Sequence, residues 1–279
     1  MLFDLQSPRR RRVIRVTFGA LAAIFAISFV FLGVGTGGGG FSVGDLFGTG
    51  GGSDGSSAFD EDIEAAQQRL ATNPNDTATM AQLVQLHYSA ANSQVDDQGR
   101  ISSDGIQDLQ QSVEAWTTYQ KQAGSKAAVG TALIAYQAYF VLAQADFSDA
   151  AAATTGADQL AGLQSTVADL KGAGEAQQVV ATARPSLGNW SKVAEAFYLA
   201  GDEAAAQRAI DEAKKLDPAG GAKLEKQLET SQKEGARFQQ AITQLTKQQR
   251  KSQGATGGNP LSGISGGGGG VGGVGTGGF

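Results

Sequence analysis

The stretch NWSKVAEAFYLAGDEAAAQRAIDEAKKLDP, residues 189–218, decides how the rest of the chain is interpreted. Its first half places Trp190 and Phe197 on one helical face, and its second half repeats alanine and isoleucine at helical intervals. Gly201 stands between the halves, and Pro218 follows the second. The pattern predicts two short amphipathic helices that fold against each other as a hairpin.

This hairpin resembles the tetratricopeptide repeat, a unit of about 34 residues with the pattern W-x2-L-G-x2-Y, then A-x3-F, then P. The matching positions are Trp190, Val193, Ala194, Phe197, Ala206, Ile210, Ala213 and Pro218. Small residues let the two helix backbones approach, and large residues fill the groove beside them. The resemblance implies a right-handed stack of hairpins whose concave face binds peptides or protein segments, and it implies no catalysis.

Less regular copies of the pattern surround this repeat and predict one all-α, TPR-like domain over residues 59–253. The first copy starts at Met80, after a helix over 62–71, and an insertion over 93–105 delays its second helix. A middle unit over 125–154 is in poorer register.

Two further helices are predicted after the middle unit. The helix over 157–185 contains Gly172 and Gly174, which are expected to break or kink it. Residues 221–253 are expected to form one long closing helix. Leu224 and Leu228 would pack it on the preceding hairpin, and the part beyond Gly235 would be solvated.

The N-terminal region predicts a single transmembrane helix over residues 13–34. No charged residue occurs from Val16 to Val34, a length that spans a hydrocarbon core. An arginine cluster lies in the segment 1–12, which the positive-inside rule places in the cytoplasm. We therefore expect a single-pass protein of the cytoplasmic membrane with its body outside. A cleaved signal peptide is the alternative, but the apolar run is long and lacks an A-x-A-like site.

Two glycine-rich segments flank the helical domain. Of the 40 glycines in the 279-residue chain, 25 lie in residues 35–55 and 254–278. Such composition cannot bury a core. Residues 35–58 are therefore predicted to be a flexible linker, and residues 254–279 a disordered tail.

Composition excludes several classes of function. Cysteine is absent and His87 is the single histidine, so no catalytic residue, cofactor site or metal site is predicted. Residues 95–106 are predicted to be an inter-helix turn, because they lack the ligands that a calcium loop needs. After Arg15 the chain has 26 acidic and 17 basic residues, a balance that disfavours nucleic acid.

The candidate protein-binding residues are Gln85, Tyr88, Glu195 and Tyr198. Each tyrosine follows the packed residue of a first helix, and in the family that next position faces the concave groove. Gln85 and Glu195 lie three residues before the tyrosines and face the same way. The expected ligand is an apolar or basic segment, since no lysine or arginine clamp accompanies them. In the other interpretation both tyrosines pack against neighbouring hairpins.

These features together predict an adaptor or scaffold that mediates protein–protein interactions at the outer face of the cytoplasmic membrane. One anchor followed by a repeat domain is similar in layout to bacterial proteins that assist protein export or envelope assembly. The alternative is a structural spacer or a self-assembling envelope component without a peptide-binding groove. An enzyme is not expected, because no nucleophile, base and metal set is visible.

The topology is testable with a protease added to cells whose outer layers have been stripped. We expect digestion of the body while the membrane is intact, since the arginine cluster over residues 9–12 holds the N-terminus inside. A body that is protected until the membrane is opened would reverse the assigned orientation.

Overall fold

The computed structural model describes residues 55–96 and 100–256, and this part of the chain consists of nine α-helices with short connections. The helices are α1 (Gly55–Thr72), α2 (Thr77–Ser93), α3 (Ser103–Ala123), α4 (Val129–Ala152), α5 (Gly156–Ala183), α6 (Leu187–Leu199), α7 (Glu203–Leu216), α8 (Pro218–Gln227) and α9 (Glu229–Thr256). The described residues form no strands beyond one isolated bridge, which confirms the all-α class.

The predicted membrane-spanning segment over 13–34 lies outside the described residues, as do residues 1–12 and most of the linker and tail. Among the helices over 55–96 and 100–256, none combines the length and apolar character that crossing a membrane requires.

Most helices begin at a side chain that accepts hydrogen bonds from the first free backbone N–H groups. The capping residues are Asp76, Ser102, Thr155, Ser186, Asp202 and Asp217. Such caps supply partners for N–H groups that a helix leaves unpaired, and each contributes about 1 kcal/mol. They fix where each helix starts and hence the connections between helices.

Each helix from α1 to α8 packs on the next one in the chain, and α2 also packs on α4. A large apolar core forms between α2, α3, α4 and α5, centred on Trp116 and Leu109. A second core joins α6, α7 and α8 around Ile210. The helices therefore pack in sequence along the chain. In the C-terminal part, α6 is the helix on which α5, α7 and α9 all pack.

The stretch over 189–218 forms the predicted hairpin as α6 and α7. Ala194 and Ala206 are fully buried where the helices meet, so the small residues occupy the closest contacts. Gly201 connects the helices with φ +75°, a left-handed conformation that favours glycine. The expected positions of Trp190 and Phe197 in this core are confirmed.

The expectation that Gly172 and Gly174 break their helix is wrong, because α5 continues through both from Gly156 to Ala183. A Cβ at Gly172 would lie 2.6 Å from the ring of Tyr139, and one at Gly174 would lie 3.0 Å from the ring of Phe197. The glycines therefore give the aromatic rings of α4 and α6 room against α5. Packing outweighs the local cost of glycine in a helix, which is about 1 kcal/mol per residue.

The single closing helix expected over 221–253 is also wrong, since it is divided at Leu228 into α8 and α9. Leu224 and Leu228 do pack on the hairpin core as predicted. The part beyond Gly235 is not merely solvated, because Phe238 is buried against Phe147 of α4 with ring centroids 5.5 Å apart. α9 therefore turns back onto α5 and α6.

Replacing Ala206 by leucine tests the hairpin contact. Ala206 is fully buried, so Ala206→Leu should overpack the interface and lower the free energy of unfolding by about 1–3 kcal/mol. Sequence reasoning would place Ala205 toward solvent, but Ala205 is also buried, so Ala204 is the exposed control. Thermal unfolding of the full chain followed by circular dichroism measures both variants. Equal melting temperatures for Ala206→Leu and Ala204→Leu would contradict this packing.

Candidate functional site

The two tyrosines of the predicted binding surface are core residues, contrary to the expectation that neither belongs to the core. Tyr88 is 9% exposed, and its hydroxyl donates a 2.9 Å hydrogen bond to Oε1 of Gln137 on α4. Tyr198 is 5% exposed and belongs to the α6–α7–α8 core. Both rings pack between helices, which agrees with the other interpretation, that the tyrosines pack against neighbouring hairpins. A role in ligand binding stays a prediction.

The two polar members of the predicted surface are only half-buried. Gln85 lies on α2 and Glu195 on α6, so they belong to different helix pairs. Burial raises the pKa of the Glu195 carboxyl to about 7, while the charge of Lys192 acts in the opposite direction. Glu195 therefore titrates near neutral pH.

His87 has the structural role that its place in the repeat predicts. It is 7% exposed, and its Nδ1 lies 3.3 Å from Oδ1 of Asp108 on α3. The other carboxylate oxygen of Asp108 accepts a 2.8 Å hydrogen bond from Gln94. This network ties α2 to α3 and to the start of the insertion.

The described residues at the two ends of the insertion between α2 and α3 are joined by their own side chains. Arg100 is paired with Asp96 at 2.9 Å, and Ser102 Oγ donates to Gln94 Oε1 at 2.8 Å. The Asp96 carboxylate, which a calcium loop here would use, is thus paired with Arg100. In the part of the chain that the structure describes, no three His, Cys, Asp or Glu side chains are grouped to hold a metal ion.

A groove of about 460 Å³ lies along α6, between α5 and α7. It exists because α5 and α7 both pack on α6 rather than on each other. Its floor and walls are formed by Gln178, Thr182, Pro185, Trp190, Val193, Phe197, Ala205, Arg208, Ala209, Glu212, Lys215 and Leu216. This groove is the candidate binding site.

The groove combines an apolar floor with a polar rim. Trp190, Val193 and Phe197 of α6 lie beneath it and are largely buried, whereas Leu216 at one end is 48% exposed. On the rim, Lys215 is paired with Glu212 at 2.6 Å. Arg208 takes part in none of the ion pairs found among the described residues. One arginine is therefore available beside an apolar surface.

Sequence reasoning found the floor of this groove but not the groove itself. The repeat pattern identified Trp190, Val193 and Phe197 as packing residues of α6. It placed ligand binding at Tyr88 and Tyr198 instead, because that is where the family binds. The exposed polar pair Gln178 and Thr182, one turn apart on α5, was the available signal for a second wall.

The raised pKa of Glu195 predicts a change in stability with pH. From its ordinary value of 4.5 up to about 7, the unfolded carboxyl loses its proton before the folded one does. Wild-type stability should therefore fall as pH rises through this window. Glutamine does not titrate, so the Glu195→Gln protein should not lose stability in this way. Relative to wild type, its free energy of unfolding should therefore increase between pH 5 and pH 8, by at most about 3 kcal/mol. Urea unfolding of both proteins at pH 5 and pH 8 measures this difference in free energy. If the difference between variant and wild type is the same at both pH values, the burial of the carboxyl is contradicted.

No family model matches the chain, and no curated protein or solved structure is found to be similar to it. The resemblance to the tetratricopeptide repeat thus depends on the residues over 189–218 and stays a prediction.

Proposed function

We propose that this protein is a membrane-anchored, TPR-like adaptor or scaffold that binds a segment of a partner protein outside the cytoplasmic membrane. The observation that carries the proposal is the groove along α6, which has a tryptophan in its floor and an exposed leucine at its end. Protein export and envelope assembly are the settings that we infer from the layout of anchor, linker and helical domain. No catalytic step belongs to the proposal.

The size and lining of the groove suit side chains from one short segment rather than a flat protein surface. Pockets of about 300–1,000 Å³ with an aromatic and aliphatic lining are typical of specific binding sites. Trp190 is of the residue type that most often dominates binding energy at interfaces. Trp190 and Leu216 both line the groove, so an amphipathic helix laid along it would place its apolar face on these two residues.

The charges on the rim select the chemistry of that segment. Glu212 is engaged by Lys215, whereas Arg208 on the same helix is available to an incoming carboxylate. We therefore infer a partner helix with an apolar stripe and an acidic residue beside it. Gln178 and Thr182 on the opposite wall supply exposed polar groups for its other edge. Such a pair of charges at the rim contributes mainly to orientation and specificity.

The competing proposal is a structural spacer or self-assembling component, which would have no use for the groove. The concave residues Gln85, Tyr88, Glu195 and Tyr198 remain a second proposed surface for the adaptor. Because both tyrosines are buried in the described arrangement, this surface needs a local rearrangement before they reach a ligand. The groove along α6 is open as described and has Leu216 exposed at its end, although Trp190, Val193 and Phe197 in its floor are as buried as the tyrosines.

A photo-crosslinking amino acid placed at Gln178 tests the proposal in native membranes. Gln178 lies exposed on the groove wall, so irradiation should give a discrete adduct with one partner, which mass spectrometry identifies. The matched control is Gln164, an exposed glutamine on the same helix that does not line the groove. Adding Arg208→Glu to the Gln178 protein should reduce the adduct at least about tenfold, since charge reversal would repel the partner's carboxylate.

The adaptor proposal fails if the Gln178 and Gln164 positions give the same adducts or none. Adducts that contain only second copies of this chain would favour the self-assembling component instead. A partner whose crosslink is insensitive to Arg208→Glu would contradict the inferred acidic residue.

A further inference from the structure

Helix α9 lies across the ends of α4, α5 and α6 and is held there by a few close contacts. Its Gly235 rests on the backbone carbonyl of Tyr198, where any Cβ would overlap that oxygen. Gln239 donates a 2.9 Å hydrogen bond to the carbonyl of Ala200. Phe238 packs edge-on against Phe147. We call the segment from Glu229 to Thr256 the strap.

The surface under the strap is apolar and is made by the other helices. Phe147 and Ala150 of α4 and Leu163 of α5 form it, and Phe238 of the strap packs on them. Ile242 and Leu245 of the strap continue the same contact, and a Cβ at Gly156 would lie 3.9 Å from a methyl group of Leu245. Without the strap, this patch would be exposed to water.

The junction between α8 and the strap contains no residue that stops a helix. Between Ala222 and Glu234 the sequence has neither glycine nor proline, and most of its residues are strong helix formers. Leu228 interrupts the helix with φ −88° and ψ 1°, close to helical values. Its N–H still bonds the carbonyl of Leu224, and its own carbonyl accepts from Gln232 at 3.0 Å. A modest rotation at one residue would join α8 and the strap into one helix.

The interruption at Leu228 is therefore attributed to tertiary contacts rather than to local sequence. Leu228 is 6% exposed in the hairpin core, and Gly235 and Phe238 hold the strap beyond it. If the junction at Leu228 straightens, the strap, a helix of about 42 Å, gives up its contacts with α4, α5 and α6. Every contact that it loses can then be made again on an identical surface.

We propose that the strap can be exchanged between two copies of the chain, giving a dimer in which each strap covers the apolar patch of its partner. Exchange of an identical element requires no new complementary surface, because the cis contacts are reproduced in trans. The monomer and the exchanged dimer would then differ only at the junction, which is interrupted at Leu228 in the monomer and straight in the dimer. The second copy is the occupant that this surface fits, since the notch at Gly235 matches the carbonyl of Tyr198.

The proposal is independent of the adaptor function. No residue of the strap lines the groove along α6, so exchange leaves that groove open. A monomeric adaptor and a dimeric adaptor are both compatible with partner binding, and the tests of the two proposals can fail separately.

The exchange is tested by crosslinking, because the chain has no cysteine of its own. One full-length protein carries Gly156→Cys and another carries Leu245→Cys, and both are mixed in detergent under mildly denaturing conditions and then returned to native buffer. A short bis-maleimide should link the two different chains, since only an exchanged strap brings these positions together. Adding Gly235→Ala to both should abolish the link, because the strap then fits neither surface. Absence of the mixed dimer, or its persistence with Gly235→Ala, would overturn the proposal.

The junction is tested by a matched pair of variants at Leu228. Both Leu228→Ala and Leu228→Gly remove the buried side chain, but alanine favours a continuous helix by roughly fivefold over glycine. With two junctions per dimer, the alanine variant should dimerise about 25-fold more tightly, as measured by sedimentation equilibrium of the full chain in detergent. Equal association of the two variants, or monomers throughout, would show that straightening at Leu228 does not drive exchange.

Discussion

The packing of α6 is the constraint on which the C-terminal half of the molecule depends. Three features of this helix let other helices approach it closely. They are the small side chain of Ala194, the ring of Phe197 seated on a glycine of α5, and the backbone carbonyl of Tyr198. Helix α7 packs at Ala194, α5 packs on the ring of Phe197, and the strap packs on the carbonyl of Tyr198. Since α5 and α7 approach from different sides, a groove is left along α6 between them.

Small residues are therefore as decisive here as large ones. Gly174 admits the ring of Phe197, Gly235 admits a carbonyl oxygen, and Ala206 is fully buried in the core between α6 and α7. A larger side chain at any of the three would have to displace packed neighbours, which costs about 1–3 kcal/mol or more. The positions of α5, α7 and the strap around the candidate site follow from these contacts.

The sequence predicts local features of this fold well and the non-local ones less well. Helical spacing and capping residues identify α6 and α7 because both signals lie within a few residues of each other. The roles of Gly172, Gly174 and Leu228 depend on Tyr139, Phe197 and the hairpin core, which are distant in sequence. Local propensity therefore suggested breaks in α5, where packing allows none, and continuity at Leu228, where packing imposes a bend. The groove was missed for the same reason, since it is the space left between two helices that both pack on α6.

The two tryptophans of the chain allow the accessibility of the groove along α6 to be measured directly. Trp116 is 1% exposed inside the large core, whereas Trp190 is 7% exposed and lines the groove. Acrylamide quenching compares Trp190 in a Trp116→Phe protein with Trp116 in a Trp190→Phe protein, both full length. We expect clearly stronger quenching of Trp190, because a groove of about 460 Å³ admits the quencher to its indole. Equal protection of both tryptophans would mean that the groove is closed in solution and would contradict an accessible binding site along α6.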